Sequence, residues 1–293
     1  MTQKSTLSQR FLLQSATIAA VVVAGILVLG KAFAYSLTDS LSIKASLIDS
    51  VLDGGVSIVN FFAIRQALEP ADDDHRFGHG KVEALAGLFQ SLFIAGSSLW
   101  LLKEVVYRIQ SPEKLIFHSM AIIVMIVASL LTFLLIMWQR FVVTQTNSIA
   151  VAADSLHYKT DLLTNIGVLL SLFLANTLNA HFIDWIVAVL ISAYIFKTSY
   201  EIGKVSFDML MDRELPDVVV KQIIEIAWQN KNVKGVHDLR TRSSGQRIFI
   251  QMHLDVDGML TLRDAHEIAE EIEQNVIAIF PNADVIIHQD PID

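Results

Sequence analysis

The sequence predicts a membrane α-helical bundle of six transmembrane helices followed by a small α+β tail of order αββαβ. Three observations carry that expectation. Of 293 residues, 53% are hydrophobic and only 18% charged, with a mean hydropathy of +0.50; an ordinary soluble domain carries about 25% charge. The charge is also uneven. Residues 206–293 hold 16 of the 30 acids but 8 of the 22 bases, a surplus of −8, whereas residues 1–205 carry 14 of each sign. Finally, the neutral part contains six stretches that reach the roughly 20 residues a bilayer requires.

Those stretches lie near residues 11–36, 41–67, 82–107, 115–142, 149–177 and 182–204. The first is too long for the apolar core of a signal peptide and is followed by further spans. The second and fifth are interrupted by Asp49, Asp53, Asp154, His157, Lys159 and Asp161, with Asp154 expected at the membrane edge. Short connections near 36–40 and 176–181 imply antiparallel neighbours. An even number of spans places both termini on one side, where Lys4, Arg10, Arg65, Arg76, Lys81, Arg140 and Lys204 outnumber Lys103, Arg108 and Lys114 opposite. That bias predicts cytoplasmic termini. The division falls at 1–207 for the bundle and 208–293 for the tail.

In the tail, Val218, Val219, Ile223, Ile224 and Ala227 recur at helical spacing over 216–230. A strand near 233–242 precedes a second over 246–257, in which Ile248, Ile250, Met252, Leu254 and Val256 alternate with Arg247, Phe249, Gln251, His253 and Asp255. Strict alternation marks a half-buried strand, apolar inward and polar outward. Thr261 then caps a helix to about 280, and 284–290 reads as a last strand.

Several chemistries are excluded. There is no cysteine, so no disulfide and no thiolate metal site. FGHGK (77–81) lacks the spacing of a phosphate-cradling loop, and HEIAE (266–270) has Glu where a zinc-protease helix needs its second His. No basic stripe faces nucleic acid. Neither nucleotide nor nucleic acid is expected as a partner, and no enzyme is expected from these motifs.

Asp49 and Asp53 stand four apart on the second span, and His157 and Asp161 repeat that spacing on the fifth. Each pair shares one helix face. An ionisable group at bilayer depth costs about 2.5–3.5 kcal/mol on insertion scales, so four of them need partners. Two such faces meeting would form a shell of three carboxylates and one imidazole, which suits Zn²⁺. The alternative is a set that lines an aqueous cleft or pairs with Lys44 and Lys159.

The stretch LIDSVLDG (47–54) followed by ADSLHYKTD (153–161) resembles the cation diffusion facilitator family of divalent-metal/proton antiporters. PADDDHRFGHGKVEALA (70–86), GVHDLRTR (235–242), FIQMHL (249–254) and VIIHQDP (285–291) fit the same resemblance, which covers essentially the whole chain. It is closest to bacterial zinc and ferrous-iron efflux members that form cytoplasmic-membrane homodimers. The resemblance implies a transport site at Asp49, Asp53, His157 and Asp161, and a three-ligand loop site at Asp72, His75 and His79. By the same resemblance the tail has a metallochaperone-like fold and holds two metal ions at a dimer interface. His237, His253, His288 and Asp290 are its ligands, with His266 bridging and Gln289 assisting or packing. Lys81 and Asp212 are expected to pair at the junction of bundle and tail. His118 and His181 match no motif and are expected at span ends.

Because such ligands bind metal only when deprotonated, protons are the expected counter-ion. One His with three Asp favours Zn²⁺ or Cd²⁺ and tolerates Fe²⁺. A passive divalent-cation channel with a regulatory tail would use the same acids and remains the alternative.

Overall fold

The computed structural model describes residues 2–38, 41–110, 119–178 and 182–293. Six long helices come first: α1 (Thr2–Thr38), α2 (Leu41–Ala67), α3 (Lys81–Gln110), α4 (Ser119–Thr146), α5 (Ile149–Leu178) and α6 (Phe182–Leu210). Among the described residues, Ser8–Leu37, Ser46–Ala67, Lys81–Tyr107 and Ile122–Thr146 are long and apolar enough to cross a membrane. The helices α5 and α6 are as long, at 30 and 29 residues. α2 matches its expected span, α5 runs one residue longer, α4 lies four residues later than expected, and α1, α3 and α6 run beyond theirs, α6 past 207. His118 and His181 lie outside the described residues.

The bundle is apolar outside and polar within, the inverse of a soluble protein. Phe11, Ile18, Val22, Ile26, Leu29, Phe33 and Leu37 form an exposed stripe along α1, while Ser57, Asn60, Gln90, Ser98, Gln139 and Ser199 are buried. Lipid replaces water as the apolar solvent, so small residues and hydrogen bonds hold the helices together. The pairing of α3 with α6 shows this: a Cβ on Gly203 would stand 2.7 Å from Ser91 Oγ, and one on Gly87 2.8 Å from Ser206 Oγ. Ser57 and Tyr158 share a buried hydrogen bond of 2.7 Å that ties α2 to α5.

The link between α4 and α5 is two residues, Asn147 and Ser148, with Asn147 at positive φ (52°). Ser148 Oγ accepts the Val151 N–H at 3.2 Å, and Glu83 of α3 accepts the Ile149 N–H at 2.8 Å. A carboxylate therefore answers the positive end of α5. Asp154, expected at the membrane edge, is instead 1% exposed. It accepts from Gln139 at 2.6 Å and Gln90 at 3.2 Å, two donors on other helices that residue spacing along α5 cannot reveal.

The tail is α7 (Asp217–Ala227), β1 (Gly235–Ser244), β2 (Arg247–Asp257), α8 (Leu262–Ile279) and β3 (Ala283–Ile292), the expected αββαβ order. The sheet runs β1-β2-β3, with β1 antiparallel and β3 parallel to β2. Ile250, Met252, Leu254 and Val256 face α7 and α8, packing on Ile223, Ile226, Ile268, Ile272 and Val276. Thr261 caps α8 in a full capping box with Asp264. One residue of β2 departs from the alternation: Phe249 is buried on the open face.

Phe249 is covered by the connection between α2 and α3. Its ring meets Phe77 edge-on at 5.5 Å, and the Arg242 guanidinium lies 4.8 and 4.7 Å from the two ring centres. Arg242 also pairs with Asp212 at 3.2 Å, and Lys81 reaches the same carboxylate at 2.9 Å. Gly80 closes the contact, since a Cβ there would stand 2.2 Å from the Ser244 carbonyl oxygen. Bundle and tail thus meet through one aromatic–guanidinium stack and a three-member ion network.

Partial burial works against the charge of Asp212, but hydrogen bonds from Lys81 and Arg242 outweigh it and hold the carboxyl below its ordinary value. Such a group stabilises the junction fully above an unfolded pKa of about 3.9 and loses that contribution as pH falls through its lower folded value. Protease sensitivity of the linker 211–216 should therefore stay flat from neutral to about pH 4 and rise below it. Asp212→Lys should raise it at neutral pH, and adding Lys81→Asp should restore protection only in part, because Arg242 still faces a lysine.

Candidate metal centres

Three clusters of ligand-type side chains form among the described residues, each with its ligand atoms within 4.8 Å of one another. Bonds of about 2.0–2.1 Å in a tetrahedral zinc shell place ligand atoms about 3.4 Å apart. That spacing is the geometric test for each cluster.

The first lies inside the bundle. His157 Nε2 is 3.1 Å from Asp53 Oδ1 and 3.9 Å from Asp161 Oδ2, which brackets the tetrahedral spacing. Both elements supply ligands through helical periodicity: His157 and Asp161 are one turn apart on α5, and α2 packs Asp53 against them. His157 is 5% exposed, its ring set edge-on to Phe93 at 6.1 Å. The cluster joins three of the four expected residues. Asp49, one turn before Asp53, is exposed and stands outside it. Lys159 does not pair with these acids; its ammonium sits 4.7 Å over the Tyr194 ring and bonds that hydroxyl.

The second is the connection between α2 and α3. Asp72 Oδ1 accepts the backbone N–H of His75 at 2.6 Å and of Asp74 at 3.1 Å, which folds the loop around the carboxylate. The His75 N–H bond is the main cause that holds the Asp72 carboxyl below its ordinary value. His75 Nδ1 and His79 Nε2 each lie 3.3 Å from an Asp72 oxygen. Gly78, at φ +80°, supplies the left-handed turn that brings the second imidazole back. His79 Nδ1 is buried without a hydrogen-bond partner. Asp73 pairs with Arg76 at 3.0 Å and, like Asp74, lies outside the cluster.

The third lies across the open face of the tail sheet. His237 pairs in register with His253, and His253 with His288, so three imidazoles form one row over three strands, although only His237, His253 and Asp290 meet within 4.8 Å and His288 stands at the edge of that set. Their ring centres are 5.1 and 4.7 Å apart. Asp290 stands at the centre: 2.7 Å from His253 Nδ1, 3.4 Å from His237 Nε2 and 3.3 Å from His288 Nε2. The bond from His253 is the leading cause that holds its carboxyl below the usual range. Asp255 adds an oxygen 3.4 Å from His237 Nδ1, and Asp238 one 4.0 Å from His253 Nε2. Neither acid was expected. The pairing register brings Asp255 to Gly235, where a Cβ would stand 2.1 Å from its carboxylate. His266 lies exposed on α8, which covers the other face of the sheet, and does not join the cluster within one protomer. Gln289 Nε2 donates to the Ile287 carbonyl at 3.3 Å.

Comparison with known proteins agrees with this architecture. A family model described as the cation efflux transmembrane domain matches residues 17–211, and one described as the cation efflux protein cytoplasmic domain matches 215–292. The chain is similar to the cation-efflux pump FieF of Shigella boydii, 44% identical over 280 residues that cover 96% of this chain and 93% of that protein. It is 45% identical to FieF of Escherichia fergusonii, with the same coverage. The tail aligns with a solved nickel form of the MamM CTD, 29% identical over 27% of this chain and all of that one, at a TM-score of 0.26. With both family models matched and FieF alike over nearly its whole length, the chain belongs to the cation efflux (cation diffusion facilitator) family of membrane transporters.

Proposed function

We infer that the protein exports Zn²⁺ from the bacterial cytoplasm in exchange for protons, by alternating access at Asp49, Asp53, His157 and Asp161. The observation that carries this reading is the intramembrane cluster. A carboxylate–imidazole–carboxylate set at tetrahedral spacing, built from two helices at bilayer depth, has no structural need for three ionisable groups. Asp49 lies one turn away on the same helix, and a modest rotation of α2 would bring its oxygen into the shell. In this reading the metal-loaded site has four ligands, with Asp49 joining the three clustered groups.

The exchange follows from the ligands. An imidazole ordinarily changes charge near neutral pH, and carboxylates and imidazole bind metal only when deprotonated. Facing the cytoplasm, the site releases protons and takes Zn²⁺; facing outward, incoming protons displace the metal. Each proton moving inward contributes about 2.3 kcal/mol per 100 mV and about 1.36 kcal/mol per pH unit. One His with three Asp suits Zn²⁺ and Cd²⁺ and admits Fe²⁺.

The tail, 208–293, reads as a cytoplasmic dimerisation unit of a homodimer in the bacterial inner membrane, with both termini cytoplasmic. Its histidine row around Asp290 holds structural Zn²⁺, and His266, remote from that row in its own chain, has a bridging role only if a second copy supplies it. The loop set Asp72, His75 and His79 leaves a fourth position open, so it exchanges metal faster than the bundle site. Through Phe77 it rests on β2, which links its occupancy to the tail.

In proteoliposomes, Asp53→Ala and Asp161→Ala should reduce Zn²⁺-driven proton flux to background while the protein still folds as a dimer. Normal flux from Asp161→Ala would sink the assignment. A pH gradient imposed at zero voltage should drive metal uptake; a passive channel would not respond to it. Calorimetric titration of Asp72→Ala should lose one Zn²⁺ equivalent per chain and leave flux through the bundle largely intact.

A further inference from the structure

Lys31 lies near one end of the apolar stretch Ser8–Leu37 of α1 and belongs to none of the three clusters. Its ammonium donates to the Ser46 carbonyl at 3.1 Å and to Ser50 Oγ at 2.6 Å, both on α2. Ser50 is 3% exposed, follows Asp49 directly and precedes Asp53 by three residues. Neutral acceptors therefore pin the charge at the acidic face of α2 without cancelling it. Through Ser50 the ammonium sits on the stretch of α2 that carries Asp49 and Asp53, the latter less than one helical turn further on. A lysine at this depth is expensive, and a purely structural tie between α1 and α2 needs no cation, since serine hydroxyls and small residues serve elsewhere in the bundle.

We propose that Lys31 is a tethered counter-charge of the intramembrane metal site, a positioning residue that weakens the site's hold on a divalent cation so that the cation can leave. The proposal rests on the transport reading above. In the four-ligand site of that reading, metal binding requires deprotonated ligands, so its three carboxylates carry −3, and Lys31 leaves −2, the charge that one divalent metal balances. Without the ammonium, the loaded site keeps an uncompensated negative charge in a medium of low permittivity, where it holds the metal more tightly. Tight binding raises the barrier to release, so the same change that improves affinity slows turnover.

The test uses the full-length protein with Asp72→Ala and Asp290→Ala, so that a Zn²⁺ titration reads the bundle site. In that background Lys31→Met should bind Zn²⁺ about tenfold tighter or more, with KM and kcat for transport both lowered. Lys31→Arg, which keeps the charge, should stay close to the parent in all three. Lys31→Gln keeps a donor for Ser50 but no charge and should behave as Lys31→Met does; it carries the test if the methionine variant does not fold. Unchanged or weaker Zn²⁺ binding in Lys31→Gln, beside a parent that transports, overturns the counter-charge. Equal weakening in Lys31→Gln and Lys31→Arg identifies a structural tie instead. A parent that neither binds Zn²⁺ at the bundle site nor transports it overturns the transport reading, not the role of Lys31 alone.

Discussion

Charge held where water is scarce governs this molecule. Ionisable groups buried in the bundle are met by specific partners: Asp53 and Asp161 by His157, Asp154 by Gln90 and Gln139, Glu83 by the start of α5, and Lys31 by Ser46 and Ser50, while Asp49 stands exposed. A carboxylate without such a partner would cost several kcal/mol in a bundle whose net stability is of similar size. The partners sit on different helices, so satisfying them also sets which helices touch. Close packing at Gly87 and Gly203 then brings α3 and α6 together, beside an apolar contact of Ile94 with Ile195.

The same constraint separates structural from working groups. Asp154 receives two amide hydrogen bonds and is sealed from its surroundings. Asp53, His157 and Asp161 instead satisfy one another, with half-buried carboxylates on two helices. A set that is complete only when something bridges it is suited to taking up and releasing a cation. In the tail, where water competes, clustering comes from sheet register: three histidines in one row around a central aspartate need no helix packing at all.

Bundle and tail meet at a joint around Phe77, beside which Gln246 Nε2 donates to the Thr146 carbonyl at 2.9 Å. Phe77 lies between His75 and His79 of the loop cluster in sequence, and its ring rests on Phe249 and Arg242 of the tail. Arg242 and Lys81 in turn hold Asp212 at the end of α6. Any change in the loop that moves Phe77 is therefore felt by β1, β2 and α6 together.

Much was legible in residue order alone because periodicity is local. Apolar length marks the spans, strict alternation marks β2, and spacing of four places Asp49 with Asp53 and His157 with Asp161 on shared faces. The loop triad and the tail histidines could be named from motif resemblance before any contact was known. What residue order could not supply was everything decided by one element meeting another. Asp154 reads as an edge residue until two glutamines from α3 and α4 enclose it, and Phe249 reads as solvent-facing until Phe77 covers it. Lys31 is an unremarked lysine in an apolar run until α1 lies along α2. Asp255 reaches His237 only through strand register, and Asp238 approaches His253 from the irregularity beside it, whereas Asp49 is exposed outside its cluster and His266 lies on α8. The sequence by itself determined which residue types share a helix or strand face, because backbone geometry imposes that within a few residues. Only the tertiary structure decided which faces meet, because low permittivity lets a buried charge settle only where a partner from elsewhere in the chain answers it.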